Sequence, residues 1–185
     1  MCKRLGIYGG SFDPIHTGHL IIAEMACQEC RLDKILFIPA GSPPHKTNRE
    51  LAPPEERYDM VRLAIENNPY FEASSIEIER EGRSFTIDTL KSLRKLYPLD
   101  WEFWFIIGMD SLLEIRTWRN SVQIMQMCKL AVYPRRGYLI DQCYKEAESL
   151  KRETGVEIVF VSGPIIEISS SDIRQRVRDS RSIKY

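Results

Sequence analysis

The sequence predicts an α/β protein whose doubly wound parallel sheet lies in a three-layer α/β/α arrangement. Short apolar, β-rich runs alternate with helical patterns from one end of the chain to the other. Several of these runs are almost continuously apolar, as strands covered on both faces must be. No long repeat, low-complexity tract or Ser/Gly linker breaks the alternation, and 185 residues suit a single domain over residues 1–185.

The strands are expected over residues 4–8, 34–39, 71–78, 103–108, 129–133 and 157–161. The helices are expected over residues 19–31, 54–67, 87–97, 121–127, 140–153 and 171–179. Parallel sheets of this kind take ligands at the carboxyl ends of their strands, so the loops that follow the strands are where chemistry is to be sought.

Composition narrows the classes. Hydrophobic residues at 43% and charged residues at 28% describe a soluble globular chain. Lys+Arg and Asp+Glu both number 26, so there is no basic excess of the kind that coats nucleic acid, and an anionic ligand needs a local site. No signal-peptide stretch opens the chain, and no apolar run approaches the ~18 residues of a membrane span. Five cysteines, an odd number, read as reduced thiols in a cytoplasmic protein.

The first strand runs into Gly9-Gly10-Ser11-Phe12-Asp13-Pro14-Ile15-His16-Thr17-Gly18-His19. Paired glycines let backbone amides approach a ligand closely. A helix beginning near Gly18 aims its free amides and positive dipole end at the same place, which suits phosphate. The GxxxxGK[ST] and GxGxxG patterns are both absent. His16 and His19, three apart at the helix entrance, face one way and donate hydrogen bonds to phosphate oxygens. A bare tight turn with two incidental histidines is the bland alternative. A zinc quartet of these histidines with Cys27 and Cys30 fails on distance. Cys27 lies roughly 12 Å along the helix from His19 at about 1.5 Å per residue. Cys27 and Cys30 are expected to pack in the core.

These residues resemble the signature of the HxGH nucleotidyltransferase superfamily, whose members transfer a nucleotidyl group from an NTP to a phosphate-bearing acceptor. A Rossmann-like fold is implied with it. Near the other end, Ile168-Ser169-Ser170-Ser171-Asp172-Ile173-Arg174 reads first as a helix N-cap. It also resembles the superfamily's Ser-Ser-Thr-x-Ile-Arg motif, which grips ATP phosphates, with Ser171 in place of Thr.

Intermediate segments resemble the nicotinate-nucleotide adenylyltransferase branch. Pro43-Pro44-His45-Lys46 is similar to that family's Pro-Pro-His-Lys loop, or is an ordinary surface loop. Ser84-Phe85-Thr86-Ile87-Asp88-Thr89 is similar to its Ser-Tyr-Thr-x-Asp-Thr segment, where backbone amides receive the nicotinate carboxylate. Gly108-Met109-Asp110 ends a strand, where a carboxylate suits ribose hydroxyls or caps a helix. Trp118 stands where the family places a tryptophan against the pyridine ring; core packing is its alternative. Arg135 matches the family's Arg-Pro-Gly turn imperfectly.

The resemblance implies AMP transfer from ATP to nicotinate mononucleotide, giving deamido-NAD and pyrophosphate in NAD biosynthesis. The catalytic set implied is His16, His19, Lys46 and Arg174. ATP falls to Gly9, Gly10, Ser11, Phe12, His16, His19, Gly108, Asp110, Ser170, Ser171 and Arg174. The nicotinate nucleotide falls to His45, Lys46, Phe85, Thr86 and Trp118. Mg²⁺ is expected on the ATP phosphates, with no protein metal cage and no organic cofactor; Asp13 is a candidate to meet it but reads first as a turn residue. Small-molecule partners are expected rather than nucleic acid or membrane, with room for a homo-oligomer. The alternatives are another HxGH enzyme, such as pantetheine-phosphate adenylyltransferase, and a non-catalytic nucleotide sensor.

Overall fold

The computed structural model describes residues 2–43, 51–134, 137, 139–164 and 166–184. Its elements run β1 Lys3–Gly10, α1 Thr17–Glu29, β2 Lys34–Pro39, α2 Pro54–Ile65, β3 Phe71–Ala73, α3 Thr86–Leu96 and β4 Trp101–Gly108. They continue with α4 Met109–Glu114, a 3₁₀ turn Ile115–Thr117, α5 Ser121–Met127, β5 Lys129–Tyr133, α6 Ile140–Thr154, β6 Ile158–Phe160 and α7 Ser170–Arg178.

The six strands form one parallel sheet in the order β3-β2-β1-β4-β5-β6. The chain works outward from β1 in one direction, then crosses back through α3 and works outward in the other. That reversal leaves a crevice above the carboxyl ends of β1 and β4. The fold is a Rossmann-like, three-layer α/β/α sandwich.

Period-two alternation assigns each strand's side chains to two cores. Leu5 and Ile7, Leu36 and Ile38, and Phe103, Phe105 and Ile107 face the layer of α3 to α6. Tyr8, Ile35, Phe37, Trp104 and Ile106 face α1 and α2. Both sets are buried, which is why the strands read as unbroken apolar runs. Gly6 is required by this packing: a Cβ there would lie 2.8 Å from both Ile35 Cγ1 and Leu32 Cδ1.

Helix ends follow their sequence signals. Pro occupies the first turn of α2, followed by Glu55 and Glu56. Helix α6 opens with Asp141 and closes on Lys151 and Arg152, then stops at Gly155 with φ 75°. Several expected bounds are corrected: β1 runs two residues further, β4 starts two residues earlier and α2 ends two residues earlier. The third strand ends at Ala73, because Ser75 turns the chain and its carbonyl accepts the Ile78 and Glu79 amides. The first helix starts at Thr17 and ends at Glu29, two residues earlier than expected at each end. Helix α4 follows β4 without a loop, too short at six residues to leave a periodic signal.

Candidate active site

At the end of β1 the chain turns sharply. Phe12 takes a left-handed conformation, φ 45°, which a non-glycine residue holds only when its surroundings insist. Its ring is 2% exposed, and the ring is what insists. It packs edge-on to Tyr8 at 5.6 Å and to His19 at 5.1 Å. Phe12 therefore supports a histidine from below while also lining the cleft.

His16 is the N-cap of α1 and His19 its third residue. Their rings lie 3.8 Å apart, tilted by 31°. The His16 amide donates to His19 Nδ1 at 3.2 Å. An Nδ1 that accepts leaves the proton of the neutral ring on Nε2, so His19 presents a donor away from the helix. Gly18 between them is a steric requirement. A Cβ there would sit 3.0 Å from His16 Nδ1 and 3.2 Å from Ile166 Cγ2.

The start of α7 docks on this loop. Ser169 is the N-cap, its Oγ accepting the Asp172 amide at 3.1 Å. Capping by the first serine leaves the next two for other contacts. Ser170 Oγ donates to Pro14 O at 2.9 Å. Arg174 donates from Nη1 to Asp13 O, from Nη2 to Ser171 Oγ at 3.2 Å, and lies 3.4 Å from Asp13 Oδ2. Asp13 is 5% exposed and also accepts the Ala52 amide at 3.3 Å. It ties three segments together, a larger role than the turn residue expected from sequence.

Across the crevice, Gly108 caps α4 at the end of β4. A Cβ at Gly108 would collide with Asp110 Oδ1, so the glycine lets that carboxylate fold back over the strand end. Asp110 is thus a first-turn residue and Gly108 the cap, the reverse of the capping alternative considered for Asp110. Farther along, Thr86 opens α3 and lines the cleft, at the helix end whose first amides have no partner within the helix. Trp118 stands edge-on to Phe105 at 6.0 Å. Phe85 and Trp118 both pack against the core, but Trp118 lines the cleft with Thr86 and Phe85 does not; the Arg119 guanidinium lies 4.8 Å over the Phe85 ring.

One cleft of about 530 Å³ joins these parts. Gly9, Gly10, Ser11, Phe12, His16 and His19 form its floor. Ser170, Ser171 and Arg174 form one wall, and Gly108, Asp110, Thr86 and Trp118 the other. His45, Lys46 and Arg135 lie outside the described residues.

Two residues that sequence reasoning missed stand at or beneath this cleft. Arg57, on α2, is 1% exposed and lies under the loops. Glu77 lines the cleft, 8% exposed, and accepts the Thr89 hydroxyl at 2.6 Å. Burial pushes its carboxyl above the usual range, opposed by its bonds to Thr89 and Ser84 and by the Arg80 charge. Charged residues in helical or turn segments read as solvated surface, so neither gave a signal.

The described residues contain no group of three or more His, Cys, Asp or Glu side chains able to hold a metal ion. Cys27 and Cys30 are buried in the core under α1, and burial raises both thiols, Cys30 to about 11. No described helix is long and apolar enough to cross a membrane.

The cytidylyltransferase-like family matches residues 7–176. A Thermoanaerobacter sp. (strain X514) protein named "Probable nicotinate-nucleotide adenylyltransferase" is 45% identical over 182 residues, covering 98% of this chain and 86% of that one. Its namesake in Clostridium novyi (strain NT) is 38% identical, covering 99% of this chain and 91% of the relative. Among solved structures, the Plasmodium falciparum nicotinic acid mononucleotide adenylyltransferase in complex with NaAD shares the fold. Its TM-score is 0.77 at 22% identity, over 98% of this chain and 87% of that one.

Proposed function

The chain belongs to the nicotinate-nucleotide adenylyltransferases within the cytidylyltransferase-like family, and from that footing we propose that its cleft joins ATP to nicotinate mononucleotide, forming deamido-NAD and pyrophosphate. The observation that carries the reading is the joint of β1 and α1. Two stacked histidines, a glycine pair and a helix N-terminus converge there on one point of the crevice.

The acceptor's 5′-phosphate oxygen attacks the α-phosphorus of ATP. A new P–O bond forms, the bond to the β-phosphate bridging oxygen breaks, and pyrophosphate departs in line. The attacking oxygen is already anionic, so no general base and no covalent enzyme intermediate are required. Catalysis then rests on positioning and on stabilising the charge that accumulates on the transferred phosphoryl group. His19 Nε2–H donates to an α-phosphate oxygen, with His16 beside it. Ser11, Ser170, Ser171 and Arg174 hold the β- and γ-phosphates, with Arg174 kept in place by its Asp13 contacts. Gly9, Gly10 and Phe12 shape the floor. Asp110 accepts from ribose hydroxyls beside Gly108. Lys46 adds positive charge to the phosphates, with His45 beside it.

The amides at Thr86 receive the nicotinate carboxylate at the positive end of α3, and Trp118 covers the pyridine ring. Phe85 contributes its backbone conformation to that turn. Asp13 is engaged by Arg174 and the Ala52 amide, so it has little left to offer a cation. Mg²⁺ would therefore be held by ATP rather than by a protein cage, and would supply charge neutralisation between the two anionic substrates.

Purified protein is incubated with ATP, Mg²⁺ and, separately, nicotinate mononucleotide, nicotinamide mononucleotide or phosphopantetheine, and pyrophosphate release is followed. Fast release with nicotinate mononucleotide alone is the expected result. Release with phosphopantetheine alone would overturn the branch. Silence in all three from folded, ATP-binding protein would favour a sensor.

A further inference from the structure

Arg57 makes an arrangement that packing alone does not explain. Its guanidinium is buried beneath the cleft floor and is absent from the cleft walls. Among the described residues, every hydrogen bond it donates ends on a backbone carbonyl: Nε to Ala52 O at 2.9 Å, Nη1 to Ser11 O at 2.8 Å, and Nη2 to Ala40 O at 2.7 Å and Gly41 O at 3.4 Å. Taking a guanidinium out of water is unfavourable, and an aliphatic side chain of similar volume would fill a core site at less cost. What an aliphatic side chain lacks is a rigid fork of five donors.

Those four carbonyls come from three stretches that no ladder holds together throughout. Ser11 begins the loop after β1. Ala40 and Gly41 follow β2. Ala52 leads into α2. The clamp also extends one step further. The Ala52 amide donates to Asp13, and Asp13 in turn holds Arg174. One side chain thus fixes a floor residue of the cleft directly and a wall residue through Asp13.

We propose that Arg57 is a positioning residue of the adenylyl-transfer reaction, its guanidinium fixing the Ser11 loop and, through Ala52 and Asp13, Arg174, so that ATP phosphates meet a preformed cradle. The inference rests on the reaction proposed above. The Ser11 and Asp13 arms of Arg57 serve the phosphate side, its Ala40 and Gly41 arm holds the start of the loop leading to His45 and Lys46, and α3 and Trp118, which take the nicotinate ring, receive no bond from it.

Arg57→Lys and Arg57→Met are compared with the wild type, each assayed well below its own melting midpoint. Lysine keeps the charge but cannot span carbonyls on opposite sides. In both variants kcat/KM for ATP is expected to fall at least about tenfold, while KM for nicotinate mononucleotide stays within about twofold. Affinity for α,β-methylene ATP, measured by calorimetry, is expected to weaken by about tenfold in parallel. A folded variant with wild-type ATP parameters overturns the proposal. So does an equal loss toward both substrates that tracks the folded fraction, and so does failure of both variants to fold; each makes Arg57 a core residue only. If the wild type binds the ATP analogue yet does not use nicotinate mononucleotide, the reaction assignment has failed and the calorimetry alone decides the role of Arg57.

Discussion

His19 Nδ1 accepts the His16 amide, so the ring is oriented by its own helix before any substrate arrives. Gly18 keeps that pair in place because it has no Cβ to press on His16. Gly18→Ala is therefore expected to lower turnover by more than it lowers stability. Parallel measurement of kcat and melting midpoint checks this; an unchanged kcat contradicts it. Glu77 gives a pH signature. Burial raises its carboxyl in the folded state, so folding favours the protonated form. Wild-type stability then has its full value below the ordinary carboxylate pKa and is lost as pH rises through the higher folded value. Glu77→Gln keeps an acceptor for Thr89 and removes the titration. Its melting midpoint is expected to gain on the wild type as pH rises through that window, then hold a constant margin. A margin independent of pH contradicts the account.

Among the elements, α7 depends most on its cap, since none of its residues is buried. Ser169→Ala removes the acceptor for the Asp172 amide and is expected to cost about 1 kcal/mol of stability, read by urea unfolding. Its larger effect should be on ATP use, because α7 carries Ser170, Ser171 and Arg174. Gly155 ends α6 far from that wall, with φ 75° and nothing within 4 Å of an added Cβ. Gly155→Ala is expected to cost about 1 kcal/mol through backbone conformation alone, leaving kinetics unchanged. Equal loss of activity in the two variants would mean that α7 has no special part. Element positions were largely legible from the sequence, because apolar alternation and caps are local signals. β2, β5 and α5 fall on their expected bounds. The expected strand over residues 71–78 is longer than the observed one because its apolar residues continue past Ala73, whereas the last bond to β2 runs from the Ser74 amide to Phe37 O and Ser75 turns the chain.

Across the whole molecule, strand order brings chemistry together that lies far apart in sequence. The β1–α1 loop and Ser170–Arg174 are separated by roughly the length of the chain, yet Ser170 bonds Pro14 and Arg174 bonds Asp13. Sequence motifs marked both clusters because phosphate binding needs recognisable residue types at helix starts. The tie between them was not legible, because Arg57, Asp13 and Glu77 act through burial and backbone partners that spacing does not encode. Phe85 shows the converse: a motif position whose ring turns to the core. In the proposed reaction the oriented histidine pair stabilises direct transfer at the α-phosphorus. The most direct test is His19→Ala with ATP, Mg²⁺ and nicotinate mononucleotide, with folding followed by circular dichroism and turnover by deamido-NAD formation. Folded protein whose kcat is lower by about a hundredfold or more is the expected result; folded protein with near-wild-type turnover would show that the histidine pair does not stabilise the transfer.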